Sequence, residues 1–197
     1  MRKLTLCLVL ALAAIFTGCA NVQEVRNDPK VEVATPSPLD IFEQQRKSEI
    51  NFAEQTRLDF MAAFQTKKAT ARINVDPLGL NQVTITENQS RRTQSVQVFE
   101  SLSITLPLAL KKNPDYVVAM SKIKALAEKM ADERGFSEIQ FFLLPTDAAA
   151  KKIKFESDTV KSSRGNPITV SKSADKSLGK GMQRIVVKAA PIQKMEL

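Results

Sequence analysis

The chain has 197 residues, a formal net charge of +8, two cysteines, and neither histidine nor tryptophan. Hydrophobic residues make up 43% of it and charged residues 25%, which is typical of a globular protein and too apolar for a disordered one. The lack of histidine excludes an imidazole base, and with it Ser-His-Asp and Cys-His catalysis and imidazole metal sites.

The first 20 residues have the pattern of a secretory signal. Arg2 and Lys3 give it a positive start, and residues 4–16 form an apolar run of 13 residues. A helix that crosses a membrane needs about 20 apolar residues, so this run is too short to span one. We expect a cleaved signal here rather than a transmembrane anchor.

The end of this signal carries a motif. Phe16-Thr17-Gly18-Cys19 resembles the lipobox of bacterial lipoproteins, although Phe16 stands where leucine is usual. The resemblance covers only the first 20 residues. It implies cleavage before Cys19, a diacylglycerol on the Cys19 sulfur and an acyl chain such as palmitate on the new amine. The alternative is ordinary signal-peptidase cleavage after Ala20, because Gly18-Cys19-Ala20 is also a small-x-small pattern.

The cysteine count favours lipidation. Cys7 leaves with the signal, so Cys19 is the one thiol of the mature chain and no disulfide can form within it. A free thiol is a liability in an oxidising compartment, whereas a thioether is inert. Ala20 and Asn21 follow Cys19, with no aspartate at the second position. By the sorting rule of lipoproteins, this resemblance implies the outer membrane, facing the periplasm.

Three regions are predicted: a signal peptide over residues 1–18, the lipidated Cys19 with a flexible tether over residues 19–38, and one periplasmic α+β domain over residues 39–197. The tether is polar and contains three prolines. A coil of this length extends over roughly 25 Å, which would hold the domain just off the membrane.

The domain is predicted to begin with a long amphipathic helix over residues 39–64. Arg46 and Arg57 fall within its apolar stripe. Either their stems cover apolar surface and their charges meet nearby acids such as Glu43, Glu49 and Glu54, or they face carboxylates or phosphates of a partner. The apolar residues of the stripe are Leu39, Phe42, Ile50, Ala53, Phe60, Met61 and Phe64.

The next part alternates with a period of two, which predicts a long, bent β-hairpin over residues 71–106. Residues 76–79 make a turn or bulge in its first arm, and residues 88–90 turn the chain. Even-numbered apolar residues of the second arm face one side. Glu100 interrupts them, so we expect it at an edge or rim of the sheet.

A second helix follows, with Asn113 as its N-cap, Pro114 in its first turn and Gly135 after its end. Its predicted apolar face consists of Met120, Ile123, Ala127 and Met130.

The remainder is predicted to be a C-terminal set of strands. A strand over residues 139–144 is expected to be buried on both faces, and shorter strands are expected around residues 153–155, 168–170 and 185–187. We expect residues 171–181 to form a loop.

Positive charge is concentrated in residues 151–188, which carry ten basic and three acidic residues. Such a surface could bind the anions of a cell envelope. The alternative is a solvated face whose lysines keep edge strands from pairing with another chain. Nucleic acid is not expected, because an exported protein rarely meets it. The residues that we expect to contact a partner or ligand are Lys151, Lys152, Lys154, Lys161, Arg164, Lys172, Lys176, Lys180 and Arg184.

Motifs for chemistry are few. Ser-x-x-Lys begins at Ser121, Ser173 and Ser177, and in penicillin-binding enzymes this spacing lets a lysine activate a serine. The Ser-Asp-Asn and Lys-Thr-Gly motifs of those enzymes are missing, as are calcium loops, cysteine clusters and phosphate loops. We therefore expect no enzyme, no metal and no cofactor.

A weaker resemblance concerns Thr146-Asp147, which follows a predicted helix and strand, and the late strand at residues 183–187. OmpA-like wall-binding domains are similar in this order of elements. The resemblance implies that Asp147 and a later arginine hold a peptide of the cell wall. Arg164 is the candidate for the second residue, but it lies in a turn, and the Leu-Ser-x-x-Arg-Ala helix of that family is absent.

Together these features predict an outer-membrane-anchored periplasmic lipoprotein that acts as a non-catalytic accessory or scaffold subunit of an envelope assembly, of the secretion, conjugation or pilus type. Its expected partners are the outer membrane, through the lipid, and one or more envelope proteins. The alternative is a binder of an anionic envelope ligand, peptidoglycan or lipopolysaccharide, through the basic C-terminal segment.

Overall fold

The computed structural model of the chain describes residues 35–64, 72–89, 91–145 and 157–197. The signal peptide, Cys19, the tether up to residue 34, Asp147, Lys151, Lys152, Lys154 and the strand predicted at residues 153–155 lie outside these ranges. The elements are α1 (Pro38–Phe64), β1 (Asn74–Val75), β2 (Gly79–Glu87), β3 (Arg92–Pro107), a 3-10 helix (Leu108–Lys112), α2 (Pro114–Arg134), β4 (Ser137–Leu143), β5 (Asp158–Lys161), β6 (Pro167–Ala174), β7 (Met182–Ala189) and β8 (Met195–Glu196). They confirm a mixed α+β domain, which forms one compact unit over residues 36–197.

The eight strands form one sheet in the order β5-β6-β4-β7-β3-β2-β8, with β1 also paired to β3. The pairs β4–β6 and β2–β8 are parallel, and the other neighbours are antiparallel. Because β1 and β2 both pair with β3, the three strands make one hairpin whose first arm is interrupted at residues 76–78.

Glu100 lies within an interior strand of this sheet, which corrects its predicted place at an edge or rim. Gly79 pairs with Ser101 and Leu80 with Phe99, so Glu100 is the extra residue of a β-bulge. Phe99 is fully buried while Glu100 is exposed. An interior strand tolerates this charge because the bulge turns the side chain to solvent.

Both helices pack against one face of the sheet and run antiparallel to each other. Arg134 at the end of α2 contacts Glu49 in the first half of α1, and Lys122 lies 3.3 Å from Asp59 near the end of α1. The main core lies between the helices and the strands β3, β4, β6 and β7. A smaller core forms where the first turn of α1 meets β2 and β3.

The buried stripe of α1 is more polar than the sequence indicates. Its spacing alternates between three and four residues as far as Phe60, which keeps one side of the helix against the domain. Met61 is 38% exposed, which corrects its predicted place, because Phe60 and Phe64 occupy the core side. The buried residues are Leu39, Phe42, Arg46, Glu49, Ala53, Thr56, Phe60 and Phe64.

The predicted ends of α2 are confirmed. The Asn113 side chain accepts a hydrogen bond from the backbone N–H of Asp115 at 3.0 Å, and Pro114 occupies the first turn. Gly135 follows the last turn in the left-handed conformation, with φ 78°. The predicted apolar face, Met120, Ile123, Ala127 and Met130, is buried.

Two predictions about the C-terminal half are wrong. Glu138, Gln140 and Phe142 of β4 are only half-buried, because both helices cover the opposite face of the sheet. Residues 171–174 belong to β6, and only residues 175–181 connect β6 with β7. This polar stretch is a strand because β4 supplies its ladder of hydrogen bonds.

We expect Gly135→Ala to lower the free energy of unfolding by about 1 kcal/mol. L side chains rarely adopt the φ of Gly135, and an added Cβ there meets no atom within 4 Å, so the cost comes from the backbone alone. Denaturant unfolding measures it. The control is Gly179→Ala, where a Cβ meets only Met182 Cγ at 3.5 Å. Equal stability of the two variants would contradict a left-handed cap at Gly135.

Candidate functional site

One end of the domain, the hairpin end, comprises the β2–β3 turn, the start of α1 and residues 195–197. Asp40 in the first turn of α1 lies 2.9 Å from Arg92, which follows the β2–β3 turn. The backbone N–H of Leu197 donates to the Thr86 carbonyl at 2.9 Å. The start of α1 and the last residues of the chain are thus fixed to the same hairpin.

The opposite end, the basic end, comprises the 3-10 helix, the start of α2 and the β6–β7 connection. Pro107 at the end of β3 pairs with Met182 at the start of β7, and the N–H of Leu108 donates to the Gly181 carbonyl at 2.8 Å. Five exposed lysines lie at this end: Lys111, Lys112, Lys172, Lys176 and Lys180.

The charges of the basic end are not neutralised by salt bridges among the described residues. The lysine salt bridges of those residues lie elsewhere, at Lys47, Lys122 and Lys129. Loss of solvation, and to a smaller extent the charge of nearby Lys172, lowers the pKa of Lys111.

Asp175, the acidic residue of the β6–β7 connection, already has hydrogen-bond and ion-pair partners within the domain. Ser177 donates to it from its backbone and its hydroxyl, and Arg184 Nη1 lies 2.9 Å away. These contacts, with Ser177 first, lower the pKa of Asp175. Arg184 is therefore half-buried in an internal pair rather than available to a ligand.

The structure separates basic residues that the sequence groups together. Lys161 pairs with Pro167 at the start of β6, and Arg164 lies in the adjacent turn. Lys172 lies five residues further along β6, which is about 17 Å away. The predicted set is therefore not one surface.

Sequence reasoning missed Lys111 and Lys112, because the positive charge was counted only from residue 151 onward. Two consecutive lysines directly before the Asn113-Pro114 helix start were visible in the sequence. The sequence does not show that β3 pairs with β7. This pairing places the two lysines beside the β6–β7 connection.

Arg164 lies beside an acid of α2. Asp132 accepts hydrogen bonds from Ser162, from Ser163 at 3.1 Å and from Asn166 at 3.2 Å, and Arg164 Nε lies 4.0 Å from it. These hydrogen bonds, above all that from Ser162, lower the pKa of Asp132. The turn that carries Arg164 is thereby fixed to the end of α2.

Between the helices lies a buried group of charges, Arg46, Glu49 and Arg134, which we call the arginine cluster. Glu49 is fully buried and meets both arginines: Arg46 Nη1 lies 2.6 Å from Oε1, and Arg134 Nε donates to Oε2 at 3.1 Å. Arg134 Nη1 also donates to the carbonyls of Phe99 at 2.8 Å and Ala190 at 3.1 Å. The cluster thus joins both helices, the β3 bulge and the chain after β7.

The cluster and its neighbours carry an excess of positive charge. Glu133 adjoins Glu49 and is paired with Lys129, so the five groups hold three positive and two negative charges. Burial lowers the pKa of Arg46 and raises that of Glu49, and hydrogen bonds from Arg134 oppose the second shift. Arg46 Nε has no hydrogen-bond partner among the described residues.

A groove of about 490 Å³ lies against this cluster, and we call it the strap groove. One wall is α1 with Phe42, Gln45 and Arg46, and the other is the segment over residues 190–195, with the end of α2 as its floor. Two cavities adjoin it: one of about 350 Å³ that shares Arg46, and one of about 240 Å³ that shares Arg134.

Two of the three serines in the Ser-x-x-Lys motifs donate their hydroxyls to oxygen atoms. Ser121 donates to the Val118 carbonyl at 2.6 Å, and Ser177 donates to Asp175 Oδ1 at 2.6 Å. In these two motifs the lysine is not the acceptor of the hydroxyl.

Within the described ranges, no group of three or more acidic or cysteine side chains could hold a metal ion. No helix in the same part of the chain is long and apolar enough to cross a membrane. Comparison with protein-family models, with curated proteins and with solved structures finds no match to this chain.

Proposed function

We propose that this chain is a periplasmic lipoprotein, anchored in the outer membrane through Cys19, that acts as a non-catalytic accessory or scaffold subunit of an envelope assembly of the secretion, conjugation or pilus type. The observation that carries the proposal is the lipobox-type end of the signal, Thr17-Gly18-Cys19. The proposal is further supported by the way in which the domain begins.

The first turn of α1 is bound firmly to the sheet. The N–H of Asp40 donates to Ser37 Oγ at 3.2 Å, and the N–H of Ser37 donates to Asp40 Oδ2 at 3.3 Å. This reciprocal cap is joined to the hairpin by the Asp40–Arg92 pair. A domain held from Cys19 would therefore transmit a pull on its N-terminus to the sheet rather than unravel from that end.

We expect crosslinking in living cells, followed by purification through a C-terminal tag from detergent extracts, to recover a stoichiometric set of envelope proteins. Cys19→Ser is the unanchored control and should lose both palmitate labelling and most of this set, because the thioether anchor cannot form. Recovery of the chain alone, or with cell-wall fragments only, would overturn the scaffold role. Unchanged labelling of Cys19→Ser would overturn the anchor.

A second candidate function, binding of an anionic envelope polymer, is favoured by the basic end. Five exposed lysines share it with the N-terminus of α2, whose dipole adds positive potential. The 27 residues of α1 correspond to about 40 Å, so the basic end lies far from the point where the tether joins. With the hairpin end held at the outer membrane, the basic end would face away from it, which favours peptidoglycan over lipopolysaccharide.

The dependence of binding on salt concentration distinguishes the two proposed functions. Binding of the chain to purified peptidoglycan sacculi through the basic end is expected to weaken roughly tenfold between about 50 and 300 mM salt, because exposed charges are screened over this range. A protein contact through buried apolar surface should persist. Sacculus binding that is insensitive to salt would contradict the electrostatic function while leaving the scaffold role intact.

A further inference from the structure

The strap groove beside the arginine cluster serves neither of the functions proposed above. We propose that this groove binds a carboxylate carried by an apolar group, and that Arg46 is the residue that meets the carboxylate.

The buried charges of the site do not balance. The three buried members of the arginine cluster hold two positive charges and one negative charge. The partly exposed pair of Lys129 and Glu133 beside them adds no net charge. A net charge held away from water is costly unless a counter-charge approaches it. A bound monoanion in the groove would supply that charge.

The two arginines of the cluster differ in their hydrogen-bond partners. The guanidinium of Arg134 donates hydrogen bonds within the domain, to Glu49 and to two backbone carbonyls. Arg46 is 5% exposed, contacts Glu49 through Nη1, and has no acceptor for Nε among the described residues. A guanidinium carries five N–H donors, and the contact with Glu49 leaves donors of Arg46 for one more anion.

The lining of the groove indicates the class of ligand. Phe42 lies under the Arg46 guanidinium, 5.0 Å from it, and Ile192 and Met195 form apolar parts of the facing wall. Glu133 and Lys194 also line the groove and offset each other, so the buried arginine cluster, with its net charge of +1, matches a single negative charge. These features favour a monoanionic carboxylate with an apolar body.

Two sources could supply this chemistry, a small apolar acid or the C-terminal carboxylate of a partner chain. The probes are therefore hexanoate, its neutral analogue hexanamide, and a short apolar peptide with either a free or an amidated C-terminus. The protein is the whole mature chain with Cys19→Ser, so that no lipid competes for the hexanoate. The readouts are calorimetric affinity and the NMR resonance of the Arg46 Nε–H group.

Hexanoate or the free peptide is expected to bind saturably and to shift the Nε–H resonance of Arg46, and the matching neutral amide should bind at least tenfold more weakly. The tighter of the two carboxylates identifies the source. Equal affinity for a carboxylate and its amide, or an unmoved Arg46 resonance, would overturn the proposal.

A variant at Gln45 tests the site without removing a buried charge. Gln45 lines the groove beside Arg46, so Gln45→Glu places a carboxylate there from within the chain. It is expected to raise the melting temperature and to weaken carboxylate binding at least tenfold. The matched control is Gln44→Glu, which changes charge equally on an exposed neighbouring position outside the groove. The same affinity in both variants would sink the proposal.

Discussion

Glu49→Ala is expected to lower the free energy of unfolding by about 3–5 kcal/mol, which is a large effect for a single substitution. Glu49 is fully buried between Arg46 and Arg134. Its removal leaves two buried guanidinium groups without their shared anion, and their positive charges then repel each other. For a domain of this size the melting temperature should fall by about 10–15 °C.

The chain offers a matched control for this prediction. Glu54 lies on the same helix and, like Glu49, pairs with an arginine three residues away in the sequence. This arginine is Arg57, which donates to the Glu54 carboxylate at 2.6 and 2.8 Å. That pair lies at the surface, where the Glu54 side chain is 40% exposed. Because solvent screens such pairs, Glu54→Ala should cost less than about 1 kcal/mol.

Urea unfolding of the two variants measures the difference directly. If Glu49→Ala costs no more than Glu54→Ala, the arginine cluster does not stabilise the domain through its buried charge. Glu49→Gln separates the charge from the shape of the side chain, since it keeps the volume and removes only the negative charge. It should cost most of what Glu49→Ala costs.

The helix α2 shows what could be predicted from local sequence. Asn113, Pro114 and Gly135 act through groups within one turn of themselves, so their roles follow from residue type alone. The four predicted apolar positions are buried because a period of 3.6 residues fixes one side of the helix whichever surface it meets.

The arginine cluster shows what local sequence does not predict. The sequence places Arg46 on the stripe of α1 and identifies Glu49 as an acid near it, both within one turn. The third member, Arg134, lies 85 residues away in the chain, and only the antiparallel packing of the helices brings it to Glu49. A long-range pair of this kind leaves no local signal.

The basic residues of the C-terminal half do not form one surface, because distance along the chain is not distance across a sheet. Lys161 and Lys172 are eleven residues apart in sequence, yet they lie toward opposite ends of β6. Lys111 is far from Lys172 in sequence, yet the two lie close enough that the charge of Lys172 contributes to the lowered pKa of Lys111. The length of β6 separates Lys161 from Lys172, whereas the order β6-β4-β7-β3, in which sequential strands are not neighbours, brings Lys111 to Lys172.

Removal of three lysines from the basic end, Lys111→Gln, Lys112→Gln and Lys180→Gln together, is expected to weaken binding to peptidoglycan sacculi roughly a hundredfold. Each lysine close to an anionic surface contributes about 1 kcal/mol, and three such contributions correspond to roughly two powers of ten in affinity. Stability should change by less than about 0.5 kcal/mol, since these side chains are exposed and have no salt-bridge partner among the described residues.

The control removes the same charge elsewhere. Lys161, Lys188 and Lys194 are exposed lysines outside the basic end, and their triple replacement by glutamine lowers the net charge equally. If charge placement matters, this control should lose less than about threefold, because salt screens charges more than a Debye length from the contact. Equal losses in the two triple variants would indicate a response to net charge alone. Sacculi whose carboxylates have been amidated should bind wild type as weakly as untreated sacculi bind the basic-end variant, because the lysines then have no anion to meet.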